Sequence, residues 1–246
     1  MFETETVLLI FLIQFSGYFV KGLVGFGNPL ITAPLLSQVL DPSLVAPGTL
    51  LLDIPVNAGI TWKNRGRIRW RTILPLLLAV LAGVVPGVLL LKIPNQRLLK
   101  ILLGLLVLGL GADMALRREQ KAGRELPGLR LLTAFASGIC AGLFGINMLI
   151  VAYLKRSAES YDAFKGSLCF LFLAENVFRF FTYLAAGLIT APVLRVGAIS
   201  LPAAALGVGL GMALSARLPE KKLMTCAVVT FLCSGVSILI RALFFS

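Results

Sequence analysis

Long stretches without charged residues recur along the whole chain, and they constrain its fold more than any other feature. A helix needs about 20 predominantly apolar residues to cross the hydrocarbon core of a bilayer. Uncharged stretches near that length are Gly22–Leu40, Thr72–Leu91, Leu131–Leu154, Val196–Ala216 and Leu223–Ile240. Shorter apolar stretches, most with one or two ionisable residues, are Thr6–Val20, Leu44–Trp62, Ile101–Ala115 and Gly166–Leu184. We therefore predict an all-α polytopic membrane protein of eight hydrophobic segments, in which Thr6–Val20 and Gly22–Leu40 count as one interrupted segment. Almost no room is left for a soluble domain.

The composition agrees with a membrane protein. Only 14% of the residues are charged, against roughly 25% in soluble domains. The net charge is +12, but the basic residues lie in short loops between apolar stretches, where they act as cytoplasmic topology signals and contact lipid headgroups rather than nucleic acid. The first stretch lacks a basic flank and a cleavage site, so it is interpreted as structure rather than a signal peptide. The four cysteines lie within apolar stretches without metal-ligand spacing, so we expect packed thiols, no cofactor and no metal.

A weak internal duplication relates the two halves of the chain. Gly22-Leu-Val-Gly25-Phe aligns with Gly142-Leu-Phe-Gly145-Ile, Gly48-Thr49 with Gly166-Ser167, and Lys92-Ile-Pro with Arg217-Leu-Pro. The partners lie 120, 118 and 125 residues apart, so their order is kept with small insertions. This pattern predicts two transmembrane repeats, residues 1–125 and 126–246, of four segments each, within one integral membrane domain.

The first segment of each predicted repeat is interrupted. Gly25-Phe-Gly27-Asn28-Pro29 places two glycines and a proline within an apolar stretch, where proline costs a helix about 3 kcal/mol. The matching Gly142-Leu-Phe-Gly145-Ile-Asn147 keeps the glycines and an asparagine but lacks the proline. At membrane depth, backbone groups freed in this way survive only inside the protein or along a water-filled cavity.

The loop charges help to decide whether these broken segments cross the membrane. Eight full crossings divide the loop Lys and Arg residues 12 against 9, whereas re-entrant first segments divide them 16 against 5. The positive-inside rule therefore favours re-entrant segments, inverted repeats and termini outside the cytoplasm. The predicted cytoplasmic loops are Lys63–Arg71, Ala115–Arg130, Lys155–Lys165 and Arg217–Lys222. Full crossing remains open, because the first arm is long enough to span.

The glycine-rich breaks, the Gly48-Thr49 pair and the loop Asn64-Arg-Gly-Arg-Ile-Arg-Trp70 together resemble the TauE/SafE family of sulfite-exporter-like permeases. The resemblance covers essentially the whole length, although the family's Gly-Gly-Gly at the break reads Gly27-Asn28-Pro29 and Asn147-Met148-Leu149 here. It implies a multi-pass protein of the bacterial or archaeal inner (plasma) membrane. It also implies a small anionic solute such as sulfite, a sulfonate or an organosulfur carboxylate.

Inverted repeats with broken midplane helices are typical of secondary transporters. We therefore predict a permease or exporter of a small anion that works by alternating access around a midplane site. A passive anion channel is the main alternative, and a scaffold or an intramembrane hydrolase or lipid phosphatase is less favoured. No enzyme is predicted, because the chain has no histidine and no close pair of intramembrane acids. The sequence leaves open the substrate, the direction, proton or sodium coupling, and whether the protein forms a homodimer.

Ionisable residues within apolar segments are expensive, so each is a candidate for function. Four such residues stand out: Lys21, Asp53, Glu175 and Arg179. Arg179 is expected either to bind an anion, with Glu175 restraining it or taking a proton, or to form a buried i,i+4 ion pair with Glu175. Lys21 is expected to face a cavity, to pair with Asp53 or to snorkel.

Polar residues at helical spacing extend this candidate site. Thr49, Asp53, Asn57 and Thr61 recur every four residues, and Ser167, Glu175 and Arg179 occupy equivalent places in the second half. Asn28 and Asn147 are expected either to contact the anion beside a helix N-terminus or to cap the broken helices. The predicted substrate-binding residues are Lys21, Asn28, Thr49, Asn57, Asn147, Ser167 and Arg179, and the predicted coupling residues are Asp53 and Glu175. The predicted hinges are Gly22, Gly25, Gly27, Gly142 and Gly145, with close helix packing as the alternative role of these glycines.

Overall fold

The computed structural model describes residues 3–24, 26–68, 70–93, 95–116, 127–147, 150–151, 154, 161–215, 236 and 240. Within these ranges all regular structure is helical and no strand occurs. The elements are α1 (Thr4–Val24), α2 (Asn28–Leu36), α3 (Pro42–Asn64), a 3-10 turn (Arg65–Arg67), α4 (Trp70–Leu91), α5 (Gln96–Leu116), α6 (Pro127–Phe144), α7 (Tyr161–Ala185) and α8 (Ala191–Ser215). The all-α prediction is confirmed.

Within the described part of the chain, four helices are long and apolar enough to cross a membrane. They are Thr4–Leu23, Ile73–Leu91, Gly166–Ala185 and Ala191–Leu214, and Gly128–Phe144 is a shorter apolar helix. At 1.5 Å per residue, a helix of 20 residues is about 30 Å long, which matches the hydrocarbon core. The polytopic prediction is therefore confirmed. Of the last predicted segment, Leu223–Ile240, all but residues 236 and 240 lies outside the described residues.

The first predicted break lies between α1 and α2. Gly27 precedes α2 with φ of +96°, a left-handed conformation that side chains rarely adopt. Pro29 then falls in the first turn of α2, where a missing N–H is harmless and the fixed φ suits a helix. The uncharged stretch Gly22–Leu40 is consequently not one helix. Its first residues complete α1, and Asn28–Leu36 form the separate nine-residue half-helix α2.

The half-helix α2 folds back against α1. A Cβ atom on Gly17 would lie 2.4 Å from Thr32 Cγ2 and 3.2 Å from the Asn28 carbonyl oxygen, so the two backbones touch at this glycine. Farther along α2, Leu36 packs in one buried cluster with Ile10. Since rising residue numbers in α2 meet falling numbers in α1, the two helices are antiparallel.

The second predicted break follows α6. That helix ends at Phe144, Gly145 has φ of +75°, and residues 145–147 are not helical. Residues 150, 151 and 154 are helical again. Both halves of the chain thus interrupt their first segment at a left-handed glycine, at the places where the sequence predicted breaks. Gly25 lies outside the described residues.

The chain divides into two compact units, each assembled from separated parts of the sequence. The first unit comprises Met1–Thr49, Ile93–Arg118 and Thr190–Ser246, and the second comprises Leu50–Lys92 and Glu119–Ile189. The first unit holds α1, α2 and α8, and the second holds α4, α6 and α7.

Within the first unit, α1 and α8 are in backbone contact. A Cβ atom on Gly207 would lie 2.6 Å from the Phe15 carbonyl oxygen, and one on Gly211 would lie 2.3 Å from the Phe19 carbonyl oxygen. Because residue numbers rise together along this contact, α1 and α8 run parallel. Glycines allow such close approach of membrane helices, where dispersion contacts between backbones replace the hydrophobic effect.

Within the second unit, α4 and α6 meet in the same way. A Cβ atom on Gly138 would lie 2.1 Å from the Val80 carbonyl oxygen, and one on Gly142 would lie 2.5 Å from the Val84 carbonyl oxygen. Residue numbers again rise together, so α4 and α6 are parallel. In each unit the helix that leads into a break is therefore locked to a second helix by glycines.

Candidate functional site

The buried polar side chains include most of the residues that the sequence selected. Those less than a tenth exposed are Lys21, Asn28 and Thr49 in the first unit, and Asp53, Asn57, Thr61, Ser167, Glu175 and Arg179 in the second. Asn147 is partly buried. Burying a polar group in an apolar region is costly unless it is hydrogen-bonded, so the partners of these residues decide what they do.

Arg179 lies in α7 and is surrounded by protein on each side of its guanidinium. Its Nε lies 3.3 Å from Glu175 Oε1, and its Nη2 donates to Asn176 Oδ1 at 2.8 Å. Its Nη1 donates to the carbonyl oxygen of Ala141 in α6. Arg179 and Glu175 are 1% and 0% exposed. The buried i,i+4 ion pair that the sequence allowed is therefore present, and the donors of Arg179 point to groups of the protein itself.

The contact with Ala141 explains why a cation is placed there. A helix that ends within the membrane leaves its last carbonyl groups without intrahelical partners, and its C-terminus carries a partial negative charge. In α6 the Ala141 carbonyl receives Arg179 and the backbone N–H of Gly145, and the Gly142 carbonyl receives the hydroxyl of Tyr183 at 2.7 Å. Arg179 and Tyr183 thus cap the broken end of α6 from one face of α7.

Glu175 also connects α7 to the far side of the same break. The side-chain amide of Asn147 donates to Glu175 Oε2 at 3.0 Å, while Oε1 faces Arg179. Through these two contacts the Glu175 carboxylate connects Arg179, which binds the end of α6, with Asn147 beyond the break. Among the described residues, Asn147 Oδ1 has no hydrogen-bond partner. The structure therefore brings Asn147, Glu175 and Arg179 together at the break after α6. The donors of Arg179 are used by the protein in this arrangement.

The polar stripe of α3 contributes to the second unit. Asp53 is near enough to Glu175 for the two carboxylates to interact electrostatically. Asn57 and Thr61 follow Asp53 on the same helix face. Within the described ranges, Asn57 Oδ1 and Thr61 Oγ1 have no hydrogen-bond partner. Ser167 is buried two turns before Glu175 in α7. This side of the unit is thus rich in hydrogen-bond acceptors.

Lys21 and Asn28 lie where α1 meets the start of α2. Lys21 is 3% exposed, and its ammonium lies 5.6 Å from the centroid of the Tyr18 ring. It is one turn beyond Gly17, the residue against which Asn28 packs, so Lys21 continues the same face of α1 past the start of α2. The N-terminus of α2 follows Gly27 and has no side-chain cap. A buried ammonium and a helix N-terminus, both attractive to anions, therefore belong to one unit.

Thr49 forms hydrogen bonds with Gln14, Tyr18 and Val45 in the first unit. Its hydroxyl donates to the Val45 carbonyl at 2.9 Å and accepts the Gln14 amide at 3.3 Å. The Tyr18 hydroxyl donates to the Thr49 carbonyl at 3.2 Å. The Gln14 Oε1 atom is buried and has no hydrogen-bond partner in the part of the chain that the structure describes. Thr49 thus lies beside the face of α1 that carries Lys21.

Sequence reasoning missed four polar residues of these groups. Gln14 and Tyr18 precede Lys21 at offsets that place all three on one helix face, and Tyr183 continues the Glu175–Arg179 spacing by one more turn. Helical spacing extended to uncharged residues would have found these three. Asn176 could not be found in this way, because it directly follows Glu175 and adjacent residues of a helix do not lie on the same face.

The predicted hinge glycines divide into two kinds. Gly22 and Gly142 lie at helix contacts, where a Cβ atom would come within 2.6 Å of the Val208 carbonyl and 2.5 Å of the Val84 carbonyl. Gly27 and Gly145 have positive φ and form the breaks. Close packing is thus enough to require glycine at the first pair. Hinge motion remains a prediction.

Comparison with known proteins identifies a family of membrane transporters. The family model described as sulfite exporter TauE/SafE matches residues 9–238. The probable inner membrane transporter protein TsaS of Comamonas testosteroni is 26% identical over 195 residues, which cover 77% of this chain and 80% of that protein. No solved structure matches the chain. The chain belongs to the sulfite exporter TauE/SafE family and is a multi-pass inner-membrane transporter rather than an enzyme.

Proposed function

We propose that this transporter moves a small anion, of the class of sulfur oxyanions, organosulfonates or small carboxylates, by alternating access. The observation that carries the proposal is Lys21, a buried ammonium in α1 one turn beyond Gly17, the residue against which the start of α2 packs. A buried charge in a membrane helix costs several kcal/mol, so it is kept where its charge is used. The family description, sulfite exporter, supports an oxyanion as the first solute to test.

Lys21 suits the anion better than Arg179 does. The guanidinium of Arg179 already contacts Glu175, Asn176 and the end of α6, so an anion would have to displace bonds that hold the break together. The unit that contains Lys21 also contains the N-terminus of α2, whose backbone N–H groups and dipole favour a negative charge. We place the anion at Lys21 and Asn28, and we give Arg179 the structural role.

Energy coupling, in this proposal, involves a carboxylate, and Asp53 is the first candidate. Glu175 is held by Arg179 on one oxygen and by Asn147 on the other, so protonating it would weaken both contacts at once. Asp53 lies on the neighbouring polar stripe and interacts electrostatically with Glu175. A proton taken up at Asp53 would reduce the repulsion between the two carboxylates.

Reconstituted vesicles test the anion site directly. Uptake of radiolabelled sulfite into vesicles that hold the full-length protein should saturate. It should fall at least tenfold in Lys21→Met, because the side chain keeps its length but loses its charge. Lys21→Arg should retain part of the uptake. The control is Arg195→Gln, which removes an exposed charge from the same unit and should leave uptake unchanged. Undiminished uptake by a correctly inserted Lys21→Met protein would exclude Lys21 as the anchor.

Counterflow separates a carrier from a passive anion channel. Vesicles preloaded with unlabelled sulfite should accumulate labelled sulfite transiently, because a carrier exchanges one bound solute for another. A channel would only dissipate the gradient, and unsaturable flux without counterflow would favour the channel instead.

A further inference from the structure

An exposed aromatic and basic platform lies at the connection between α3 and α4. Trp62, in the last turn of α3, is 72% exposed, and Trp70, which begins α4, is 54% exposed. The segment Lys63–Arg71 between and around them contains five Lys or Arg residues and no acidic residue. In a membrane protein, tryptophan side chains prefer the headgroup level, where the indole ring is half in the apolar region and half in water.

Arg65 is fixed on this platform rather than extended into water. Its guanidinium lies 4.6 Å from the centroid of the Trp62 ring, and its Nη1 donates to the Trp62 carbonyl at 3.4 Å. The second contact satisfies a carbonyl at the end of α3, and the first keeps the planar group stacked on the indole. The cation is therefore pre-organised while Arg65 itself remains exposed.

The other aromatic residue is anchored to the protein. Trp70 packs edge-on against Phe170 of α7, with ring centroids 4.7 Å apart. This contact fixes the start of α4 against α7 within the second unit. Trp70 thus anchors the start of α4, while Trp62 stays exposed at the end of α3 with the guanidinium of Arg65 stacked on its ring.

We propose that Trp62 and Arg65 form a binding site for the headgroup of an anionic phospholipid. The phosphate of such a lipid offers oxygen acceptors that match the fork of a guanidinium, and its acyl chains can lie along the exposed ring of Trp62. The basic charge of the Lys63–Arg71 segment attracts anionic lipids to this side of the membrane, and each basic residue near the surface contributes about fivefold to that preference. The stacked guanidinium of Arg65 adds a defined position at which the lipid phosphate can bind.

Fluorescence of Trp62 provides the test, because the chain contains only two tryptophans. In a Trp70→Phe background, the full-length protein is reconstituted in phosphatidylcholine with a small fraction of brominated phosphatidylglycerol or, separately, of brominated phosphatidylcholine. Brominated phosphatidylglycerol should quench Trp62 as though its local concentration were about fivefold higher than its bulk fraction. Brominated phosphatidylcholine should quench only in proportion to its bulk fraction.

Variants show whether the enrichment belongs to Arg65. Arg65→Gln should remove about fivefold enrichment, whereas Arg65→Lys, which keeps the charge but loses the planar stack, should keep only part of it. Lys92→Gln, which removes an exposed charge after α4, should have no effect. Added inorganic phosphate should not compete, because the site needs the acyl chains as well as the phosphate.

Three results would overturn the proposal. Equal quenching by the two brominated lipids would show that no anionic lipid is selected. Unchanged enrichment in Arg65→Gln, or an equal loss in Lys92→Gln, would show attraction by total charge alone. Full competition by inorganic phosphate would show a free-anion site rather than a lipid site.

Discussion

Arg179 shows how a membrane protein uses a buried charge to end a helix. In water the last carbonyls of α6 would be hydrated, but at membrane depth they require donors from the protein. Arg179 supplies one and Tyr183 another, and Glu175 balances the charge of Arg179 while holding Asn147 beyond the break. The three α7 residues at positions 175, 179 and 183 therefore behave as one cap for an interrupted helix.

This role predicts a loss of stability when Arg179 is removed. Breaking a buried ion pair by removing one partner typically costs about 3–5 kcal/mol, because it leaves the other charge without compensation. Arg179→Gln should therefore lower the thermal unfolding midpoint of the detergent-purified protein clearly. Arg195→Gln, at an exposed position, should not. A double variant, Glu175→Met with Arg179→Met, should recover part of the loss, since it leaves no lone charge.

Unchanged stability with lost anion binding in the same variant would indicate that Arg179 binds the transported anion. If Arg179→Gln unfolded at the parental temperature but lost anion binding, its donors would serve the solute and not the helix end. Isothermal titration with sulfite, performed on the same preparations, distinguishes these outcomes.

The ionisable part of the site could be predicted from sequence, whereas its partners could not. Lys21, Asp53, Glu175 and Arg179 stand out because charges are rare in apolar stretches. Helical spacing also identified Asn57 and Ser167 as buried. The bond from Arg179 to the Ala141 carbonyl, by contrast, joins residues 38 positions apart and involves a backbone atom that has no sequence signature.

Glycines set the contacts between helices in both units. The α1–α8 and α4–α6 contacts each place a glycine backbone against a carbonyl of the facing helix. Sequence predicted small residues at helix contacts in general, but it did not show which helices are partners, since pairing depends on shape over a whole face. The breaks were predictable because Gly27 and Pro29 carry local conformational signals.

Gly142 and Gly128 provide a matched pair within α6. A Cβ atom on Gly142 would clash with the Val84 carbonyl, whereas one on Gly128 would meet nothing within 4 Å. Gly142→Ala should therefore destabilise the protein by about 1–3 kcal/mol, as overpacking does. Gly128→Ala should be neutral or slightly stabilising, because alanine favours a helix by about 1 kcal/mol over glycine.

Thermal unfolding of the two alanine variants under identical detergent conditions measures this difference. Equal midpoints would mean that α4 and α6 separate easily at Gly142, and the close contact would then not contribute to stability.

At the scale of the whole chain, the two helix contacts obey one rule. If residues 1–125 and 126–246 are repeats, α1 and α6 are equivalent first segments, and α4 and α8 are equivalent third segments. Each contact then joins the first segment of one repeat to the third segment of the other, in parallel orientation. Such an exchanged arrangement, present twice, is what the predicted duplication into two equivalent repeats would produce.

The path of the chain through the first unit supports re-entrant first segments. The half-helix α2 returns along α1 as far as Ile10, and α3 then starts beside the same residue. Farther along α3, Thr49 contacts Gln14 and Tyr18 of α1. The start of α3 therefore runs parallel to α1. This path is the one expected of a re-entrant first segment, which returns the chain to the membrane face from which it entered.

This path predicts the positions of three loops. Single cysteines placed at residues 66, 121 and 158, in a background without the four native cysteines, should all react with a membrane-impermeant maleimide only from the cytoplasmic face. The positive-inside rule gives the side, since these loops are rich in Lys and Arg. Labelling of positions 121 and 158 from opposite faces would instead require every segment to cross.

The final prediction concerns how the transporter changes state, and it separates glycines that pack from glycines that bend. Gly22 and Gly142 lie at close helix contacts, so larger residues there should impair folding. Gly145 has φ of +75° at the break itself, so changes in its backbone angles can reorient the segment that follows. We expect Gly145→Ala to slow sulfite turnover several-fold in vesicles while leaving the equilibrium dissociation constant nearly unchanged, because the substitution restricts the rearrangement and not the contacts at Lys21 and Asn28. If binding and turnover instead declined in proportion, Gly145 would serve only to shape the resting site, and hinge motion at the break should be abandoned.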